Sequence, residues 1–175
     1  NKKLFFTVRE GVLERVEEKY DVQVLLVLED SAAAGINKRS IAGFGKRFLN
    51  TVYKTGFLNK SDNDKVVKNT VITLRRGNEA EDIASDKLFT TEMLVPQLQS
   101  YFDNTRYKPL EQRFTTLFFE ILEPNIFYDE ELTQRVIDEE IKSLSVNKGL
   151  VTENERIIAK GDVVEGSKYE ILMSL

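Results

Sequence analysis

Three acids in a row, Asp129, Glu130 and Glu131, stand in the stretch EPNIFYDEELTQR, residues 123–135. Carboxylates do acid–base work or hold a metal when two of them converge on one space with pKa values pushed apart. Consecutive positions on a helix point about 100° apart, so these three diverge. Asp129 instead suits an N-cap, its carboxylate accepting from free amides of a first turn, with Glu130 and Glu131 at the positive end of the dipole. Such a cap stabilises by about 0.5–2 kcal/mol. The capping reading therefore takes precedence over the chemical one.

Two other stretches invite chemistry. Gly43-Phe44-Gly45-Lys46 offers backbone amides and a lysine to an anion. A phosphate loop wants Gly where Ser40 stands and Ser or Thr where Arg47 stands, so the stretch reads as a helix start on a flexible loop. Asp62-Asn63-Asp64 opens like a calcium loop, but Val66 replaces the third oxygen ligand and no Glu closes it at the required spacing. A solvated turn is expected there. Asn59-Lys60-Ser61 fits a glycosylation sequon, which has meaning only in a eukaryotic secreted chain, and no role is assigned to it.

Composition narrows the chemistry further. The 175 residues contain no His and no Cys, which removes the commonest general base, thiolate nucleophiles, zinc sites and disulfides. Any catalysis would rest on carboxylates, Ser, Thr, Tyr or Lys. A formal net charge of -4 argues against a nucleic-acid partner, which needs clustered Lys and Arg. No metal, cofactor or catalytic residue is expected. The longest apolar run, residues 22–28, is too short to cross a bilayer. The chain begins Asn-Lys-Lys without a signal-peptide core, and so reads as a piece of a longer protein.

The elements that position these residues follow from periodicity. Val8, Val12, Leu13, Val16 and Tyr20 predict an amphipathic helix over residues 8–20. Residues 22–28 fit a strand or a continuation of that helix, and periodicity does not separate the two. Residues 29–40 read as a loop and 41–57 as a helix with Gly56 at its C-cap. A turn at 59–65 precedes a strand centred on Thr70 to Leu74, which Gly77-Asn78 ends. Helices are predicted over 85–102, with Pro96 allowing a break or a late start, over 109–122, barred by Pro124, and over 130–144. Residues 149–166 read as a β-hairpin with Asn154 and Gly161 at turn positions, followed by a short helix carrying Tyr169. Helices with a few interspersed strands and no regular alternation favour an α+β fold, mostly helical, in a single domain over 1–175.

From Glu123 onward the motifs are more specific. PN-x-x-YDEELT, with Pro124, Asn125, Tyr128, Asp129 and Thr133, is followed by KG-x-V around Gly149, E-x-I at 155–157, and KGDVV-x-x-x-x-Y-x-x-L-x-SL, with Gly161 and Tyr169. This last third resembles the extracellular domain of bacterial seven-transmembrane receptors that carry an intracellular HD hydrolase. Glu140 stands where the family usually has a small residue, Val146 where it favours Pro, and Asn154 where it usually has Gly.

The resemblance implies a noncatalytic extracytoplasmic sensor domain, periplasmic or extracellular, of a receptor in the bacterial inner membrane. It further implies a multi-span region and a cytoplasmic HD domain that hydrolyses cyclic di-AMP, whose His and Asp metal ligands lie outside this chain. The ligand would be a small molecule, a peptide or an envelope protein that the sequence does not identify. The alternative is a module for dimerisation or for docking an envelope protein.

Overall fold

The computed structural model describes residues 3–149 and Met173. Two compact units divide the chain, one formed by Lys3–Asp129 and another that takes in the residues from Glu130 onward.

Lys3–Asp129 contains a mixed four-stranded sheet and four α-helices. Strand β1 (Phe5–Val8) runs parallel to β2 (Val71–Arg76) and antiparallel to β4 (Ile126–Tyr128), while β3 (Glu79–Ala84) pairs with β2, giving the order β3-β2-β1-β4. Val8 therefore ends a strand where a helix was expected. Phe6 and Val8 alternate inward with the period of a strand, and Gly11, at φ 80°, turns the chain into the helix. What selects the strand is pairing with β2 and β4, both remote in sequence, and local periodicity does not register it.

Helix α1 (Val12–Leu28) settles residues 22–28 as helix. Val24 and Val27 extend the buried stripe of Val12, Val16 and Tyr20, while Val22, Leu25 and Leu26 point outward. A continuing stripe outweighs β-branched composition. Helix α2 (Lys38–Thr55) starts inside the expected loop because Asn37 caps it, its side chain accepting from the Ser40 N–H at 3.1 Å. Gly56 closes it at φ 101°, as its position predicts.

Helix α3 (Leu94–Phe102) starts late, after two single 3-10 turns at Ser85–Lys87 and Thr91–Met93, with Pro96 in its first turn where no intrahelical donor is lost. Helix α4 (Glu111–Ile121) follows a 3-10 turn at Lys108–Leu110 and ends short of Pro124. Strands β3 and β4 are additions to the predicted set. A two-residue Gly77-Asn78 link joins β2 to β3, with Arg76 paired to Glu79 and Gly77 at φ 59°.

Two apolar clusters organise this unit. One joins the helices through Tyr20, Phe44, Phe48, Leu98, Phe102, Phe114 and Phe118, and the other gathers Phe6, Val8, Leu58, Ile72, Leu74, Leu88 and Ile126 around the sheet.

In the other unit, helix α5 spans Glu130–Gly149, five residues past the expected end, with no proline between Leu144 and Gly149 to stop it. The α+β class holds. The expected hairpin at 149–166 lies outside the described residues apart from its first, Gly149, which is the last residue of α5.

Candidate functional site: an apolar cavity beside the sheet

The acidic run does not converge. Asp129 directly precedes the first residue of α5, its N–H donates to Phe5 O at 2.9 Å, and its Oδ2 accepts from Thr7 Oγ1 at 2.9 Å. Glu130 and Glu131 occupy the first turn of α5 and are exposed. Among the described residues, no group of three or more acids is placed to hold a metal ion.

Asn125 does work that its sequence position only hints at. Buried to 5% exposure, it accepts at Oδ1 from the Phe57 N–H at 2.8 Å, donates its N–H to Phe57 O at 2.9 Å, and accepts at its carbonyl from the Arg9 N–H at 2.7 Å. The segment leaving α2 is thereby fastened to the start of β4. Pro124 lies half-buried just before it, and Tyr128 sets its ring edge-on to Phe6 with centroids 5.4 Å apart. Thr133 is buried within α5, whereas Gly161 and Tyr169 fall outside the described residues.

Gly43-Phe44-Gly45-Lys46 lies mid-way along α2, which corrects the expectation of a helix start on a loop. The reason is packing. A Cβ on Gly45 would fall well inside contact distance of Tyr20 Oη and of the Phe114 ring, so the glycine lets two buried aromatics approach the helix backbone. Lys46 reaches Asp21 at 3.1 Å.

Glu123, next to the signature, ties three elements together. Its carboxylate accepts from Lys19 and from Arg15 at 3.0 Å, and these two side-chain hydrogen bonds hold its pKa below the usual carboxylate range. Its backbone carbonyl accepts from Tyr53 Oη at 2.7 Å, and its N–H donates to the same oxygen at 3.0 Å. Burial pushes the Tyr53 phenol up to about 12, so it remains a neutral donor. This is a clamp of α1 and α2 on the α4–β4 connection.

One concave feature of Lys3–Asp129 is a cavity of about 580 Å³, within the size range of small-molecule sites. Leu58, Val66, Leu88, Met93 and Pro96 make its walls mainly apolar. They come from the link after α2, the approach to β2, the segment after β3, and the first turn of α3 with the turn before it. Asn69, at φ 59°, bends the chain along the rim in a conformation that Asn tolerates better than most residues. Exposed Lys68, Asp86 and Glu92 also stand at this rim.

Two polar side chains in the wall differ in how they are satisfied. Ser85, 5% exposed, donates Oγ to Val67 O at 2.8 Å and accepts from the Thr70 N–H at 3.3 Å. Asn63 Oδ1 is buried with no hydrogen-bond partner among the described residues. An unmet buried acceptor costs about 1–3 kcal/mol. The expected solvated turn at 62–64 lies in a 3-10 helix, Lys60–Lys65, that is exposed at Lys60, Ser61, Asp64 and Lys65 and half-buried at Asp62 and Asn63, where Asp62 Oδ2 accepts from the Tyr128 N–H at 3.0 Å. Nothing local marks Asn63 as a cavity residue, since every apolar wall segment except the adjoining Leu58 and Val66 is remote in sequence.

Fold and site together define an α+β module that offers a mainly apolar recess. The chain belongs to the 7TM-HD extracellular family, whose sequence profile matches residues 7–175. It is thus the extracytoplasmic part of a membrane receptor. No curated protein and no solved structure matches the chain. Among the described residues no helix is long and apolar enough to cross a membrane.

Proposed function

We propose that residues 1–175 form one noncatalytic sensor domain of a bacterial membrane receptor whose cytoplasmic HD domain hydrolyses cyclic di-AMP. The observation that carries this reading is the family match over residues 7–175, and the apolar cavity supports it. The chain has no histidine, so the metal ligands of an HD site would lie elsewhere in the intact protein. A ligand controls such an enzyme only by binding its two conformational states with different affinity.

The test is hydrolysis of cyclic di-AMP by the intact receptor in proteoliposomes, with and without residues 1–175. Regulation is expected to disappear with the domain while hydrolysis persists. Identical rates and identical responses to envelope extract in the two forms would overturn the sensing role. A thermal-shift screen of envelope metabolites and peptides identifies the ligand, because binding to the folded state alone raises apparent stability.

A second reading is favoured by Val22, Leu25 and Leu26, which are 68%, 54% and 72% exposed on one face of α1. There the domain pairs with a second copy through this stripe. Sedimentation decides between them. A dimer that Leu26→Glu converts to monomer supports pairing, and a parent chain that stays monomeric at every concentration removes it.

A further inference from the structure

The geometry points to the cavity lined by Asn63, Leu58, Leu88 and Met93 as a site for a small, mainly apolar molecule that presents one N–H or O–H donor and carries no net negative charge. This inference rests on the sensing reading and names the chemistry that would be sensed. At about 580 Å³ the recess suits a drug-sized molecule, and its apolar walls favour an apolar body.

Polar selectivity comes from what the wall leaves unmet. The Ser85 hydroxyl is already used in both directions, by Val67 O and by the Thr70 N–H. Asn63 Oδ1 is the buried wall acceptor without a partner among the described residues. The terminal torsion of an Asn side chain is broad, so on ligand binding the amide would turn this oxygen toward the recess. A donor on the ligand would then satisfy it. At the rim, Asp86 and Glu92 outnumber Lys68, and none of the three forms an ion pair among the described residues. Two carboxylates against one ammonium disfavour an anionic ligand.

Three probes of nearly equal shape test this: phenylbutanamide, its N,N-dimethyl derivative, which keeps the carbonyl but has no N–H, and phenylbutanoate, the anion. Each is titrated into the 175-residue chain and followed by NMR shifts of cavity residues. The primary amide is expected to bind about tenfold more tightly than the dimethyl amide, the fold-change of one hydrogen bond, with the anion weakest. Asn63→Leu should reduce the amide's advantage to less than about twofold while the dimethyl amide still binds. Met93→Phe, which narrows the recess, should weaken all three.

Equal affinity for amide and dimethyl amide, an advantage that survives Asn63→Leu, or no binding of any probe up to its solubility limit would each overturn the inference. Should Asn63→Leu fail to fold by circular dichroism, Asn63→Ala, which likewise has no acceptor, takes its place with the same expectations. This outcome is separable from the sensing role. Donor-selective binding by a chain whose deletion leaves both the rate of hydrolysis and its response to envelope extract unchanged would keep the site and sink the sensor, and the reverse pair would do the opposite.

Discussion

Around Phe114 the rings of Phe44, Phe48, Tyr101, Phe102 and Phe118 meet one another with centroids 4.3 to 6.0 Å apart, while around Leu88 the sheet cluster opens onto a recess of about 580 Å³. The two regions draw on the same classes of apolar residue. They differ in closure and in polar satisfaction. In the helical core Tyr20 Oη donates to Ala42 O and Tyr101 Oη to Phe44 O, both at 2.6 Å, so each phenol tip is matched. Beside the sheet, Asn63 Oδ1 is not. A region with complete packing and matched polar atoms acts as a frame, and a region with space and an unmet acceptor is where binding energy is still available.

The comparison breaks most visibly in the helical core. Phe114, fully buried, is in ring contact with both Phe102 and Phe118, and Phe114→Ala should lower stability by about 3–5 kcal/mol in urea unfolding. A loss below about 1 kcal/mol would mean that the core collapses around the gap and is not rigidly packed. Next comes a pair of glycines on α2. Gly45→Ala, which drives a methyl into Tyr20 and Phe114, should cost about 3 kcal/mol, whereas Gly43→Ala, with only Arg47 Nη1 nearby at 3.7 Å, should be neutral or stabilise by up to about 1 kcal/mol. Similar melting temperatures for the two variants would contradict the close approach at Gly45.

Smaller effects sharpen the same contrast. Tyr53→Phe removes the hydroxyl that binds both Glu123 backbone groups and should cost about 1–2 kcal/mol by thermal unfolding. The Glu123 carboxyl has a folded pKa below its unfolded one, chiefly through the hydrogen bonds from Lys19 and Arg15. Its stabilising contribution is therefore complete above the unfolded value of about 4.3 and fades as pH falls through the lower folded value. Melting temperatures followed from about pH 6 to about pH 3 should drop less steeply for Glu123→Gln than for the parent. Parallel curves would show that the clamp does not couple to folding. Smallest of all, Met93→Phe at the recess should shift stability by less than about 1 kcal/mol, because the added volume enters open space. A loss near that of Gly45→Ala would show that the recess is closed in solution.

The helical framework was largely legible because it is local. The stripe from Val12 to Tyr20 recurs at four-residue spacing, Gly56 falls where a C-cap belongs, and Pro96 allows the late start that α3 makes at Leu94. Strand β3, with the sequence EAEDIA, carries three acids and little β propensity, and its six pairs with β2 come from a tight turn at an exposed sheet edge. Strand β4 has only three residues, too few to show a period. Val8 looked helical because its apolar neighbours Val12 and Val16 fit that spacing, yet its partner is Ile126.

The sequence by itself determined the α+β class, most of the helices and the family signature around Pro124, Asn125 and Tyr128, since capping, periodicity and composition act within a few residues. Only the tertiary structure decided that Gly45 is a packing position, that Asn125 fastens Phe57, and that Asn63, Leu88 and Met93 face one recess. Those relations join residues that lie tens of positions apart, and the free energy that sets them comes from burial and long-range hydrogen bonds that no local spacing encodes.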